Sequence, residues 1–148
     1  MPKGNMPDWL YFHVAKSSPK TYLNLAFSVN IMDYSRQEFY LGKNESDKLR
    51  KKNVCVVGGG ALGSRVCELL ARSGVSLRLI DRDVVEESNL QRQGLFFLDN
   101  VGESKAKIAS ERLGKINNEI KIDYLDVNLD KDSVKLLDSD LVVDCTDN

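Results

Sequence analysis

Short apolar runs alternate with segments of helical periodicity from residue 53 to the end of the chain. The run NVCVV is continuous, which is typical of a strand buried on both faces, and helix-like segments separate the later strand candidates. We predict strands at 53–57, 76–80, 119–125 and 141–144, helices at 61–73 and 103–116, and a short helical crossover at 131–137. This alternation predicts an α/β fold: a Rossmann-like, mostly parallel sheet with right-handed crossovers and helices on both faces.

The chain before residue 53 carries weaker patterns. In MDYSRQEFYLG, Tyr34, Phe39 and Leu41 could line one face of a helix that Gly42 ends, and SDKLRKK predicts a short charged helix leading into the first strand. Three prolines and no sustained periodicity mark the first 31 residues. The predicted divisions are a leader at 1–31, a helical segment at 32–52 and a Rossmann-like domain at 53–148.

The two ends of the chain suggest two expectations. We hypothesise that translation of the native protein begins at Met32, so that residues 1–31 are not native; N-terminal sequencing tests this, and peptides from that segment would contradict it. At the other end, four residues follow Asp144, too few for a helix that would cover the sheet. We therefore expect the front part of a larger, C-terminally truncated domain.

Composition and charge exclude several classes of protein. Apolar residues make up 42% and charged residues 29% of a chain of 148, as in soluble globular proteins. A balance of 21 basic and 22 acidic residues argues against nucleic acid or a membrane surface as a partner, and no stretch is apolar and long enough to span a membrane. Three widely spaced cysteines favour the reducing cytoplasm over a disulfide framework.

A glycine-rich turn lies between the first predicted strand and helix. The segment GGGALG places Gly58, Gly60 and Gly63 in the G-x-G-x-x-G pattern, which lets backbone N–H groups and a helix N-terminus approach a phosphate. Asp81 ends the second strand, where a carboxylate can bind ribose hydroxyls. These residues predict a nucleotide site. They do not distinguish NAD, FAD and ATP, which share the phosphate–ribose–adenine end that this site would bind.

The loop DRDVVEESNLQRQ adds features that a dinucleotide site does not require. Ser88 and Gln91 fit a capping box that would fix the positions of Asn89 and Arg92. Lys105 lies one turn before Ala109, on the predicted buried face of the next helix. A cation in the first turn interacts unfavourably with the helix dipole, and an anion bound in the crevice would compensate for that unfavourable energy.

Two more acidic residues lie at the end of the last predicted strand, at the same edge of the sheet. Asp144 and Asp147 follow in DCTDN, and a carboxylate beside basic side chains suits a magnesium ion on polyphosphate oxygens. Asp144 could equally cap the following turn. Together the acids and bases favour a nucleoside triphosphate over a nicotinamide cofactor.

These motifs together resemble the ThiF/MoeB family, the adenylyltransferases that activate ubiquitin-like proteins and sulfur carriers. The similarity runs from YSRQ through VVGGGALGS, LIDRDVVEESNLQRQ and VGESKA to VVDCTDN, nearly all of residues 34–148. The resemblance implies ATP- and magnesium-dependent adenylation of the C-terminal carboxylate of a small carrier protein ending in Gly-Gly, with release of pyrophosphate. It also implies that Asp81 binds the ribose, that Asp83 and Asn89 line the site, and that Arg92 and Lys105 bind phosphates.

The resemblance assigns the remaining residues as well. Asp147 would ligate magnesium, and Arg36 matches an arginine that family members send into the ATP site of the partner subunit, which implies a homodimer. Ala61 stands where the family loop usually has a glycine, and it keeps the backbone N–H. The predicted nucleotide site comprises Gly58, Gly60, Ala61, Gly63, Asp81, Asp83, Ser88, Asn89, Leu90, Gln91, Arg92, Lys105, Asp147 and Asn148, with Arg36, Arg92, Lys105 and Asp147 acting in catalysis.

Two other functions stay open at this point: an oxidoreductase domain that binds NAD(P) or FAD, and a non-catalytic subunit of a heterodimeric activating enzyme. Arg92, Lys105 and Asp147 together argue against the second. Cys55 and Cys67 are interpreted as core residues, and Cys145 as structural because no histidine partner accompanies it. The zinc-binding cysteine pairs of the family would lie beyond residue 148.

Overall fold

The fold is built on a parallel sheet whose strand order reverses beside its first strand. The structure, a computed structural model, describes residues 32–147. Its strands are β1 (Asn53–Val57), β2 (Ser76–Ile80), β3 (Ile122–Leu125) and β4 (Leu141–Asp144). They pair in parallel in the order β3-β2-β1-β4, which confirms the predicted Rossmann-like α/β sheet.

Short helices connect and flank the strands. The α-helices are α1 (Ser35–Leu41), α2 (Lys43–Leu49), α3 (Ala61–Arg72) and α4 (Lys105–Ile116), and single turns of 3-10 helix span Glu87–Asn89 and Leu98–Asn100, with a longer one at Lys131–Leu137. α4 begins two residues later than predicted because the Ser104 hydroxyl accepts the Lys107 N–H and caps it. None of the helices within residues 32–147 is long and apolar enough to cross a membrane.

The apolar core lies between one face of the sheet and helices α3 and α4. Leu77 and Leu79 of β2 pack with Ala71 of α3 and with Ala109 and Leu113 of α4 in one buried cluster. Small residues on both helices allow this close approach. The core therefore fixes where α3 and α4 begin, at the edge of the sheet where the strands end.

The opposite face of the sheet is covered differently. Arg78 alternates with the core residues of β2 and points to this face, where its guanidinium donates to the Leu136 carbonyl at 2.9 Å. That bond ties the 3-10 helix at Lys131–Leu137 to the sheet. The helices predicted on both faces of the sheet are thus α-helices on one face and a 3-10 helix on the other.

The helical segment before β1 contradicts one sequence prediction. The face predicted from Tyr34, Phe39 and Leu41 is wrong, because Phe39 is 80% and Leu41 49% exposed. Tyr34 precedes α1 and is buried, whereas the ring of Phe39 packs edge to face on Tyr40, 5.3 Å away. Gly42 ends α1 as predicted, with a φ of 80°.

Polar contacts attach this segment to the sheet domain. The Asn117 amide donates to the Tyr34 hydroxyl and to the Ala71 carbonyl, both at 2.8 Å, and the Gln37 amide donates to the Ser73 carbonyl at 3.2 Å. Tyr34 and Gln37 of the YSRQ motif are therefore anchors. Arg36, between them, is left exposed.

Candidate nucleotide site

The glycine loop between β1 and α3 is shaped by close backbone packing. A Cβ at Gly63 would lie 1.8 Å from the carbonyl oxygen of Gly58, so α3 can approach the loop only because residue 63 has no side chain. Gly58 has a φ of 89°, and a Cβ there would meet the Cys145 carbonyl carbon at 3.0 Å. Close packing thus requires glycine at both positions, and the free N-terminus of α3 faces the carboxyl edge of the sheet.

Asp81 joins this loop to the one after β2. Its carboxylate accepts the Gly59 N–H through Oδ2 and the Asp83 N–H, at 2.7 Å, through Oδ1. Only 9% of the residue is exposed. Gly59 was not predicted as a site residue, although a Cβ there would lie 3.1 Å from Asp81 Oδ2. The acid predicted to bind ribose therefore also fixes the positions of the two loops.

A cavity of about 910 Å³ opens beside these loops, where the order of the strands reverses. Its volume suits a small ligand of nucleotide size. Nine of the predicted site residues line it: Gly58, Gly60, Ala61, Asp81, Asp83, Asn89, Arg92, Lys105 and Asp147. The structure thus brings residues from three separate loops and from α4 to one groove.

Five predicted residues lie elsewhere. Gly63 packs beneath the loop, Leu90 packs partly buried against the core, and Ser88 and Gln91 are exposed outside the cavity. Arg36 is exposed on α1 and does not line the cavity. Asn148 lies outside the described residues.

The capping box predicted for Ser88 and Gln91 is wrong. The box is formed two residues earlier, by Glu86 and Asn89, whose side-chain Oδ1 accepts the Glu86 N–H at 3.2 Å. The reason is that the Val85 N–H donates to the Glu103 carbonyl at 2.8 Å and fixes the chain just before Glu86, so the turn starts there. Asn89 is still held in a fixed position, as predicted, and it is buried.

Three basic residues line the cavity: Arg82, which was not predicted, and the predicted Lys105 and Arg92. Lys105 is only 7% exposed, and its Nζ lies 3.1 Å from Asp83 Oδ2. Its backbone N–H donates to the Asp83 carbonyl at 2.9 Å. Arg92 is exposed, and its guanidinium donates to the Ser88 carbonyl at 2.6 Å. The prediction that Lys105 is buried and shares a groove with Arg92 is therefore confirmed.

The acidic end of the cavity follows β4. Asp144 Oδ1 accepts the Thr146 N–H at 3.0 Å and the Thr146 hydroxyl at 2.8 Å, and these bonds hold the pKa of Asp144 below its usual value. Asp144 thus caps the turn that presents Asp147 to the cavity. Burial and the neighbouring Asp144 raise the pKa of the Cys145 thiol, the opposite of what a nucleophile needs.

The structure adds lining residues that were not predicted. Glu86, Gln93 and Asn128 line the cavity together with apolar residues near β3 and β4, among them Leu129 and Val142. Gln93 follows Asn89 by one helical turn, which is a spacing that could have indicated it. Asn128 follows β3, and its position after a strand was the available signal. Among residues 32–147, no group of three or more histidine, cysteine or acidic side chains could hold a metal ion by itself.

A glycine loop at the reversal of strand order, an acid after β2 and cations around one groove are features typical of Rossmann-like nucleotide-binding sites. The sequence model of the ThiF family matches residues 34–148, and the chain belongs to that family.

The chain is similar to the sulfur carrier protein ThiS adenylyltransferase of Bacillus subtilis, at 38% identity over 78% of this chain and 36% of that protein. It is also 39% identical to the molybdopterin-synthase adenylyltransferase of Salmonella typhimurium, over 80% of this chain and 49% of the relative. Among solved structures, the E. coli tRNA N6-threonylcarbamoyladenosine dehydratase TcdA in complex with ATP has a TM-score of 0.72 at 33% identity, covering 81% of this chain and 53% of TcdA. The chain thus spans between about a third and a half of these proteins.

Proposed function

We propose that the whole protein is an ATP-dependent adenylyltransferase that activates the C-terminal glycine carboxylate of a ubiquitin-like or sulfur-carrier protein and releases pyrophosphate. The observation that carries the proposal is the buried amine of Lys105 beside the groove of the glycine loop, with Arg92 facing the same groove. The names of two relatives, a ThiS adenylyltransferase and a molybdopterin-synthase adenylyltransferase, support the reaction class.

The charges of the groove suit a triphosphate. Lys105 begins α4, where a cation opposes the helix dipole by about 0.3–1 kcal/mol, and its nearest carboxylate, Asp83, is 58% exposed. A polyphosphate between Lys105 and Arg92 would compensate both cations. Asp81 would accept hydrogen bonds from the ribose hydroxyls with the lone pairs that Gly59 and Asp83 leave unused.

Asp147 is the residue proposed to hold magnesium. It lines the cavity on a turn that Asp144 caps, so its carboxylate is presented near the glycine loop. One protein carboxylate is enough for Mg²⁺ when phosphate oxygens and water complete the octahedron, which agrees with the lack of a multi-residue metal cluster among residues 32–147. The ion would neutralise charge on the polyphosphate when bound.

The proposed step needs positioning and charge neutralisation more than a protein nucleophile. A carboxylate oxygen of the carrier attacks the α-phosphorus, and the bond to the bridging oxygen breaks. Pyrophosphate leaves with that electron pair, so the products are an acyl-adenylate and pyrophosphate. Lys105 and Arg92 would stabilise the charge that gathers on the transferring and leaving groups.

Replacement of the two cations tests this proposal. We expect Lys105→Met and Arg92→Ala each to lower the rate of ATP–pyrophosphate exchange by on the order of 10²–10³-fold in the whole protein, because each removes a preorganised charge from the reacting phosphates. Circular dichroism should show an unchanged fold. Lys107→Met is the matched control, since Lys107 lies on the same helix, exposed and paired with Glu103 at 3.2 Å.

Near-normal exchange in both Lys105→Met and Arg92→Ala would overturn these roles. Loss of exchange in Lys107→Met as well would mean that charge on α4 acts without contact to the phosphates.

Arg36 is proposed to act in the site of a partner subunit, in a homodimer. It is exposed on α1 and does not reach the cavity of its own chain, which agrees with a role in trans. Arg36→Ala and Lys105→Met should each be inactive alone. A mixed dimer of the two variants would contain one site in which both residues are native and one in which both are replaced. If the subunits pair at random, half of the dimers are mixed and each has one active site. Co-refolding should therefore restore roughly a quarter of wild-type exchange. Absence of any recovery would contradict the role in trans.

A further inference from the structure

One buried acceptor at the cavity has no partner. Gln93 is 3% exposed and lines the cavity, and its Oε1 has no hydrogen-bond partner among residues 32–147. Buried side-chain oxygens in folded proteins are nearly always paired, because an unpaired one loses its water without compensation. Gln93 therefore points to a donor that arrives with a ligand.

Backbone contacts place Gln93 at the glycine-loop end of the cavity. Its N–H donates to the Asn89 carbonyl at 3.0 Å, one turn earlier in the chain. A Cβ on the next residue, Gly94, would lie 3.0 Å from a guanidinium nitrogen of Arg65, near the start of α3. Gln93 also follows Arg92 directly. The proposed function puts the polyphosphate and the reacting carboxylate at this end.

The chemistry at that end limits what the donor can be. Phosphate oxygens only accept hydrogen bonds, and so does the ionised carboxylate that attacks them. The sugar hydroxyls and the adenine amine are donors, but Asp81 is the acceptor predicted for the ribose. The donor nearest to an attacking peptide carboxylate is the backbone N–H of the same C-terminal residue.

We propose that the side-chain oxygen of Gln93 accepts a hydrogen bond from the backbone N–H of the substrate's C-terminal residue and so orients its carboxylate toward the α-phosphorus. This inference rests on the proposed function. The terminal amide of a glutamine turns about a broad two-fold torsion, so a small rotation exposes the oxygen to the cavity. The bond would select a peptide with a secondary amide at its last residue and disfavour an N-alkylated one.

Stable mimics of the acyl-adenylate test the inference without the carrier protein. The probes are adenosine 5′-sulfamate and two acyl derivatives of it, the N-acetylglycyl and the N-acetylsarcosyl compound. The sarcosyl probe differs from the glycyl probe only in carrying an N-methyl group in place of the amide N–H. The assay is calorimetric titration of the whole protein. The wild type should bind the glycyl probe about tenfold more tightly than the sarcosyl probe. In Gln93→Leu the two affinities should become equal, with the affinity for adenosine 5′-sulfamate unchanged.

Two further variants separate the bond from a change of structure. Gln91→Leu is the control, since Gln91 is exposed in the same loop outside the cavity, and it should keep the tenfold preference. Gln93→Glu keeps an acceptor and should also keep the preference, which leaves a usable comparison if Gln93→Leu does not fold.

The inference is overturned if the wild type does not distinguish the two acyl probes or if Gln93→Leu still does. It is overturned as well if Gln93→Leu weakens adenosine 5′-sulfamate to the same extent as the glycyl probe, because Gln93 would then bind the nucleotide. If the wild type binds none of the three probes, the proposed function itself fails, and that outcome is distinct from the other two.

Discussion

Single carboxylates determine the geometry of the groove at the scale of residues. Asp81 accepts N–H groups from the glycine loop and from its own loop, so it sets the distance between the two before any ligand binds. The backbone carbonyl of Asp83 then accepts the Lys105 N–H, and the Asp83 carboxylate pairs with the Lys105 amine. A chain of hydrogen bonds thus runs from the glycine loop to the start of α4 and fixes the buried cation.

Cys67 offers a pH-dependent test of the core beneath this groove. Burial, with a smaller contribution from the neighbouring cysteines, raises the pKa of Cys67 from 9.0 to about 12. Because the folded-state pKa is raised, its contribution to the free energy of unfolding is fully present below pH 9.0 and is lost as the pH rises toward 12. Urea unfolding should therefore show the stability difference between wild type and Cys67→Ala shrinking over this range. A difference that stays constant would contradict the assigned burial.

The sequence indicated some site residues and missed others for physical reasons. Lys105 was predictable because four-residue spacing places it on the face of Ala109, and both are buried. Gln93 could have been indicated as a lining residue by its four-residue spacing from Asn89, but nothing in a sequence shows that its amide oxygen lacks a partner. The three consecutive glycines before Ala61 pointed to phosphate binding, but the contact of Gly59 with Asp81 joins residues 22 positions apart.

Contact between α3 and the glycine loop determines the site at the scale of elements. The first turn of α3 crosses the loop so closely that the carbonyl of Gly58 occupies the space of a side chain at Gly63. The other end of α3 is closed by Gly74, which has a φ of 81° and whose N–H donates to the Ala71 carbonyl at 3.1 Å. The start of α3 is thereby fixed against the loop that follows β1.

A pair of glycine replacements tests this packing. Gly63→Ala should lower the free energy of unfolding by about 1–3 kcal/mol or more and abolish nucleotide binding, because α3 must move off the loop. Gly114→Ala, in the last turn of α4 with no atom within 4 Å of the added Cβ, should instead stabilise by roughly 0.5–1 kcal/mol. Chemical denaturation measures both. Equal effects of the two substitutions would show that helix propensity, and not contact, governs Gly63.

Elements with strong periodicity were predicted well, and those fixed by distant contacts were not. The run NVCVV and the helix at Ala61–Arg72 follow from local pattern alone. The start of the turn at Glu87–Asn89 depends on a bond between Val85 and Glu103, which no local pattern shows. The inward turn of Tyr34 likewise depends on Asn117, 83 residues away.

Parallel topology assembles the site at the scale of the molecule. Since all strands run in one direction, the loops after β1, β2 and β4 meet at one edge, and the reversal of order beside β1 leaves a groove between them. That arrangement followed from the sequence once the strands were assigned. The placement of Arg36 did not, because α1 is attached by Tyr34 and Gln37 and carries Arg36 away from its own groove.

The central claim is that this groove binds a magnesium-bound triphosphate and not a nicotinamide cofactor. Calorimetric titration of the whole protein with MgATP and with NADH, in wild type and Lys105→Met, tests it most directly. We predict that wild type binds MgATP and not NADH, and that Lys105→Met weakens MgATP at least about tenfold, because a charge-assisted bond to phosphate is lost. Tight NADH binding without ATP binding, or an unchanged MgATP affinity in Lys105→Met, would contradict the account.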